Sequence, residues 1–168
     1  MTERTARPGD AAPGGSGASV AVGRPAVPAS ADYHRAITEA LARLASALDR
    51  RDWKGIAAAF TPDATGYSAT GVTNIVDVVR RHLGGCGPSQ HLLGNHRVTV
   101  DGDRARSLTY ARVYHQGAGP MAGRFFECCG EYDDRWSRVD NQWLLSHRGF
   151  TMTIRLGDYG VLRPPEEE

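Results

Sequence analysis

Three side chains of this sequence have the types and positions for acid–base chemistry: Asp49, His91 and His115. An unperturbed imidazole titrates at about pH 6.5, so a histidine can take a proton and return it near working pH. His91 and His115 fall on two consecutive strand-like stretches joined through Asp101-Gly102-Asp103, a hairpin signal. Side chains alternate faces along a strand, so the register decides whether the two rings share a face. A loop of odd length pairs residues of equal parity. His91 then stands opposite Ala111 or Val113 and faces the same way as His115, roughly 7–8 Å away on the diagonal. A loop of even length sends the rings to opposite faces. Asp49 follows Leu41 and Ala45 on an amphipathic stretch and so lies beside its apolar stripe. A carboxylate there needs a partner, and a histidine of a covering sheet would serve. Taken singly, each histidine also reads as a half-buried polar residue, and Asp49 as a solvated one beside Arg50 and Arg51.

Other chemistries find less support. The sequence has no G-x-S-x-G elbow, Walker loop, H-E-x-x-H or C-x-x-C. The glycines at 117, 119 and 123 precede no helical pattern, which argues against a nucleotide loop. A zinc site from His91, His96 and His115 is opposed by strand parity, because 91 and 96 face opposite ways on a regular strand. Acid–base work by histidine requires no metal and no organic cofactor. The three cysteines, Cys86, Cys128 and Cys129, are odd in number and include a vicinal pair. That is a poor disulfide framework, so a reducing cytoplasm is expected.

The elements that must position these residues can be read from periodicity. Ser30 is a good helix N-cap, with Asp32 in the first turn; Ile37, Leu41, Leu44 and Leu48 then mark about five helical turns. Asp52 can cap a second helix from Trp53 to Phe60, ended by Thr61-Pro62. Thr73 can cap a third, with Ile75, Val79 and Leu83 inward and Gly84-Gly85 as its stop. After residue 88 the period changes from about 3.6 to 2. Strands are expected up to Val100, from Ala105 to Gln116, from Arg124 to Arg138 and from Gln142 to Ile154. Three helices followed by a long meander predict an α+β fold, with the helices packed on one face of a curved antiparallel sheet.

The chain has 168 residues, 40% of them hydrophobic and three of them tryptophan, enough for one domain with a real core. Residues 1–30 are dominated by Gly, Pro, Ala and Ser and predict a disordered arm. The domain is expected over 31–163, with an acidic tail at 164–168. A formal net charge of +1 gives no field that would recruit nucleic acid or an anionic membrane. No run of 18 apolar residues exists to form a transmembrane helix, and no apolar stretch at the N-terminus predicts a secretory signal.

The order of elements resembles the nuclear-transport-factor-2-like superfamily, a cone-shaped α+β fold. The segments Leu48-Asp-Arg-Arg-Asp-Trp53, Ser89-Gln-His-Leu-Leu-Gly-Asn95 and Val113-Tyr-His-Gln116 resemble its SnoaL-like branch, and the scytalone dehydratases within it. Over about residues 33–155 the resemblance implies that Asp49, His91 and His115 match a helix aspartate and two pocket histidines. It implies dehydration, double-bond isomerisation or cyclisation of a polyketide-like or other carbonyl compound in an apolar pocket. His115 is expected to be the main acid or base, oriented by Asp49, with His91 as the second acid or an electrophile. Tyr67 and Tyr132 are expected as substrate-binding donors. The sequence departs from the dehydratases at Leu48, where they have a tyrosine, and near Gly130, where they have a serine. The partners implied are a small-molecule substrate and further copies of the chain, as a dimer or trimer through the outer sheet face. A ligand-binding or assembly module of the same fold is the rival from another class. An epoxide-type hydrolase, using a carboxylate-activated water, is the second enzymatic rival.

Overall fold

The structure is a computed structural model that describes residues 27–28 and 30–162. The acidic tail, and the arm apart from Val27, Pro28 and Ser30, lie outside the described residues. Helix α1 (Ala31–Arg50) begins where the Ser30 hydroxyl accepts from the Tyr33 amide, 3.4 Å. It buries Ile37, Leu41, Leu44 and Leu48, the stripe expected from the sequence. It ends at Arg51, whose φ of 58° is left-handed. Helix α2 (Trp53–Ala58) is capped by Asp52, whose carboxylate accepts from the Gly55 amide, 3.0 Å. Helix α3 (Val72–Gly84) starts one residue before Thr73. Gly71, at φ 85°, takes the N-cap, a backbone position that threonine would enter only under strain.

The strands are β1 (Val27–Pro28), β2 (Phe60–Gly66), β3 (Ala69–Thr70), β4 (Cys86–Asp101), β5 (Arg104–Gly117), β6 (Phe125–Val139) and β7 (Gln142–Gly157). They form one sheet in the order β1-β4-β5-β6-β7-β2-β3. The expectation of an antiparallel sheet is corrected here: β2 runs parallel to β7, and the sheet is mixed. The segment Phe60–Gly66 contains Pro62 and Asp63, poor strand formers, and a register irregularity between Phe60 and Thr65 absorbs them. The helices cover one face of this sheet. Leu41, Leu44, Ile56 and Ile75 pack there with Val98, Trp136 and Leu145.

The hairpin of β4 and β5 reaches the expected outcome by a different route. Its loop is Gly102-Asp103, with Asp101 paired to Arg104, so the loop has even length. Near the turn, partners therefore have opposite parity, as in Val98 with Ser107. Between Gly94 and Arg97 the register shifts by one residue, and beyond it partners have equal parity, as in His91 with Val113 and Ser89 with His115. The extra residue sits in β4 at a bulge where Asn95 is left-handed, φ 50°. Asparagine tolerates that conformation better than most side chains. The bulge returns His91 to the face that carries His115.

Candidate active site

The inner face of β5 is a row of buried side chains: Ala105, Ser107, Thr109, Ala111, Val113 and His115. His91 enters beside the far end of this row from β4. The two rings lie edge to face with centroids 5.8 Å apart. His115 is 5% exposed, and the side chain of His91 7%. Asp49, in the last turn of α1, reaches across from the helix layer. Its Oδ1 is 2.7 Å from His91 Nδ1, and its Oδ2 accepts from the His91 backbone N–H at 3.1 Å. The expected pairing of Asp49 with His115 is therefore corrected: the aspartate holds His91 at both ring and backbone. The reason is register. His91 lies two residues nearer the bulge than Ser89, the rung partner of His115, and there the end of α1 passes over the strand.

Electrostatics separates the two rings. Burial alone would raise the Asp49 pKa. The hydrogen bonds from His91, with the charges of His91 and Arg51, outweigh burial and hold the carboxyl below its ordinary value. Burial, with the neighbouring charges of His91 and Arg51, pushes His115 down to about 4, against a smaller upward pull from Asp49. His115 is thus a neutral imidazole at pH 7.

The sequence reading passed over the groups that hold His115. Arg51 caps α1 and spreads its guanidinium over three elements. It donates to the carbonyls of Leu48 and Asp49, each 3.1 Å, to Leu83 at 3.2 Å and to Gly87 at 2.6 Å. It also reaches Ser89 Oγ at 2.9 Å and Cys86 Sγ at 3.3 Å. Ser89 Oγ in turn lies 2.9 Å from His115 Nδ1. The sequence carried no direct signal for this, because α1 ends without the glycine that usually marks a left-handed cap.

Tyr67 and Tyr132 are brought together, in a second polar group. Tyr132 is buried on the inner face of β6, opposite Thr109, and its ring leans on Phe150 at 4.7 Å. The guanidinium of Arg148 sits 4.1 Å from the centre of the same ring and pairs with Asp134 through two hydrogen bonds, 2.9 and 2.7 Å. Burial lowers the Arg148 pKa, but the charge of Asp134 and the hydrogen bonds to it win and leave it raised. Burial raises Tyr132, with Tyr67 adding to it. Tyr67 opens a two-residue turn between β2 and β3, φ 52° and 61° for Tyr67 and Ser68. Its buried hydroxyl has no hydrogen-bond partner among the described residues. Tyr132 stands six residues along β6 from Phe126, the rung partner of His115, or about 20 Å along the strand at 3.3 Å per residue. The tyrosines are thus not hydrogen-bonded to the histidines. Leu93, Ala111 and Val113 lie between the two groups on the inner face. Asp134 and Arg148 also escaped the sequence reading, although Asp134 shares the inward parity of Cys128, Tyr132 and Trp136.

The three histidines weighed for zinc do not converge, since His96 Nδ1 turns to Thr109 Oγ1 at 3.2 Å. Among the described residues, no three His, Cys, Asp or Glu side chains form a metal-binding group. No helix of the described residues is long and apolar enough to cross a membrane.

Comparison with known proteins agrees with this architecture. The profile of the SnoaL-like domain matches residues 29–149. A crystal structure provisionally named an aromatic ring hydroxylase, from Novosphingobium aromaticivorans, superposes with a TM-score of 0.73 at 21% identity, covering 80% of this chain and 99% of that one. A second from the same species, provisionally named a scytalone dehydratase, gives 0.71 at 19% identity, over 82% and 95% of the two chains. A type 2 hexachlorocyclohexane dehydrochlorinase, LinA, gives 0.66 at 17% identity, over 81% and 99%. At these identities the likeness is one of fold. No curated protein shows significant sequence similarity to the chain.

Proposed function

The chain belongs to the SnoaL-like domain family, and on that premise we propose that it is a cofactor-free acid–base enzyme of lyase type acting on a small carbonyl compound. The observation that carries this reading is the Asp49–His91 pair set against a neutral His115 on one inner face. With the proton of neutral His91 on Nδ1, toward the carboxylate, its Nε2 offers a lone pair. That nitrogen removes the proton beside the substrate carbonyl, and the imidazolium formed is stabilised by Asp49. His115 donates a hydrogen bond to the carbonyl oxygen as negative charge develops there. The electron pair then expels hydroxide, or another leaving group, from the next carbon, and His91 returns its proton to form water. Tyr67 and Tyr132 would meet only a substrate long enough to pass Leu93, Ala111 and Val113, with the unpartnered Tyr67 hydroxyl as the polar contact at that end.

The names of two fold neighbours, a dehydratase and a dehydrochlorinase, both describe eliminations, the reaction type that the proton removal proposed here would begin. Isomerisation or cyclisation of a polyketide-like substrate uses the same first step. An epoxide-type hydrolase is less well supported, because both oxygens of Asp49 are engaged by His91. Three free thiols fit a reducing cytoplasm. Self-association, as a dimer or trimer, would use the outer sheet face, where Leu92, Tyr110, Ile154 and Leu156 stand exposed.

The test is a panel of cyclic β-hydroxy and β-halo ketones in D₂O. Enone absorbance reports elimination, and NMR reports deuterium beside the carbonyl. The expected result is exchange or elimination by the native protein that His91→Gln lowers by roughly 10²–10⁴. Tight binding of these ketones with neither exchange nor elimination would favour the binding-module reading.

A further inference from the structure

We infer that Ser89, itself held by Arg51, fixes the tautomer of His115, so that this ring presents an N–H and not a lone pair to the substrate. The use made of that N–H rests on the acid–base reading above. The tautomer is a property of the free protein.

The protons around Ser89 can be counted. A guanidinium only donates, so Ser89 Oγ accepts at its 2.9 Å contact with Arg51 Nη2. The hydroxyl has one proton of its own. Two acceptors are in range: His115 Nδ1 at 2.9 Å and Cys86 Sγ at 3.9 Å. The first is a full hydrogen-bond distance; the second is at the limit even for sulfur. The thiol meanwhile donates toward the Leu83 carbonyl, 3.5 Å. The serine proton therefore goes to Nδ1, and a neutral imidazole that accepts at Nδ1 carries its hydrogen on Nε2. The reverse tautomer would give Ser89 two donors and send its proton to the distant sulfur. Protonating the whole ring would do the same.

The surroundings agree. The charged and titratable groups around His115 are Arg51 and Asp49 from the end of α1, His82 from α3, and Cys86 and His91 from β4, while Phe126 of β6 stacks on the ring. The balance of burial and these charges keeps the ring neutral at pH 7. The hydrogen bonds of His115 among the described residues are made at Nδ1, so its Nε2–H is not engaged within the protein. The two histidines thereby divide the work. Asp49 makes His91 a base; Arg51 and Ser89 make His115 a donor. Ser89 and Arg51 are positioning residues, acting through the ring.

The experiment is a long-range ¹H–¹⁵N correlation of the uniformly labelled full chain at pH 7, with the His115 ring assigned through His115→Gln. The native spectrum should show Nε2 of His115 protonated and Nδ1 accepting. A native ring protonated on Nδ1 overturns the inference, whatever the variants do. Ser89→Ala should lower the ratio of the two tautomers roughly tenfold, the worth of one hydrogen bond. Ser89→Thr, which keeps the hydroxyl, should restore it. A Ser89→Ala spectrum still showing the Nε2–H tautomer alone would remove Ser89 from the role. None of these signals depends on turnover. Failure of the acid–base reading would instead appear as native protein without exchange or elimination, with the tautomer in place.

Discussion

Replacing Asp49 by asparagine alters one atom of the side chain and should invert the chemistry of His91. The carboxylate accepts twice, from the ring Nδ1 at 2.7 Å and from the backbone N–H at 3.1 Å. Asparagine brings one oxygen and one NH₂. The backbone N–H can only donate, so the amide oxygen must face it, and the NH₂ is left facing Nδ1. Nδ1 must then accept, which moves the proton to Nε2, the end that should act as base. The opposite amide rotamer sets NH₂ against N–H and leaves a partly buried donor unsatisfied, at about 1–3 kcal/mol. Turnover should therefore fall by roughly 10²–10⁴, the contribution of one general base. Stability should fall much less, by about 1 kcal/mol, the difference between a charge-assisted and a neutral hydrogen bond. For a domain of this size that is roughly 3–6 °C in Tm. The folded Asp49 pKa lies below the ordinary 3.8. Its stabilisation is thus complete above about pH 4 and is lost as pH falls through the folded value. The Tm gap between native and variant protein should close over that acid range. The assays are initial rate with an exchanging ketone, a melt at several pH values, and the ¹⁵N shifts of His91. Turnover within about threefold of native, with His91 still protonated on Nδ1, would return Asp49 to a structural role.

Three further outcomes are expected. His115 titrates at about 4 when folded against 6.5 in the unfolded chain, so the unfolded state binds more protons between those values. Native stability should decline from about pH 6.5 to 4 by up to roughly 3 kcal/mol, and chemical denaturation of His115→Gln should show a flatter profile there; an unchanged slope would contradict the buried neutral ring. Arg51→Ala should cost about 2–4 kcal/mol in the same assay, because several carbonyls at the junction of α1, α3 and β4 lose their donor. Arg51→Gly, which also lacks the guanidinium but suits the left-handed cap, should cost less than Arg51→Ala by the backbone strain alone, and a loss below about 0.5 kcal/mol in Arg51→Ala would mean that the guanidinium contributes little. Asp134→Ala should lose about 3–5 kcal/mol by stranding buried Arg148, while the paired change Asp134→Leu with Arg148→Met should recover most of it; a melt of the three proteins decides.

What is local in this protein follows from the order of its residues alone. The cap at Ser30, the stripe of α1 and the cap at Asp52 are set by neighbours a few positions apart and stand where the spacing placed them, and the turn at Gly102-Asp103 falls within the signal at 101–103. The family motifs likewise located Asp49, His91 and His115, which do meet. Pairing between distant segments was decided by the tertiary structure. The even loop would have parted the two histidines. One extra residue at Asn95 brings them to the same face, and its cost is repaid only by the packing of β4 on β5 and α1. Local periodicity counts residues as though strands were regular, so it cannot register a bulge. Nor could it find that Phe60–Gly66 joins β7 in parallel, because that pairing brings together segments separated by α3 and the whole β4–β6 meander. Asp49 chose His91 because the helix end, the bulge and the backbone N–H converge at that residue. Arg51, Ser89, Asp134 and Arg148 owe their roles to burial. A donor or charge taken from water must find a partner, and which partner it finds depends on which strands the fold has laid side by side.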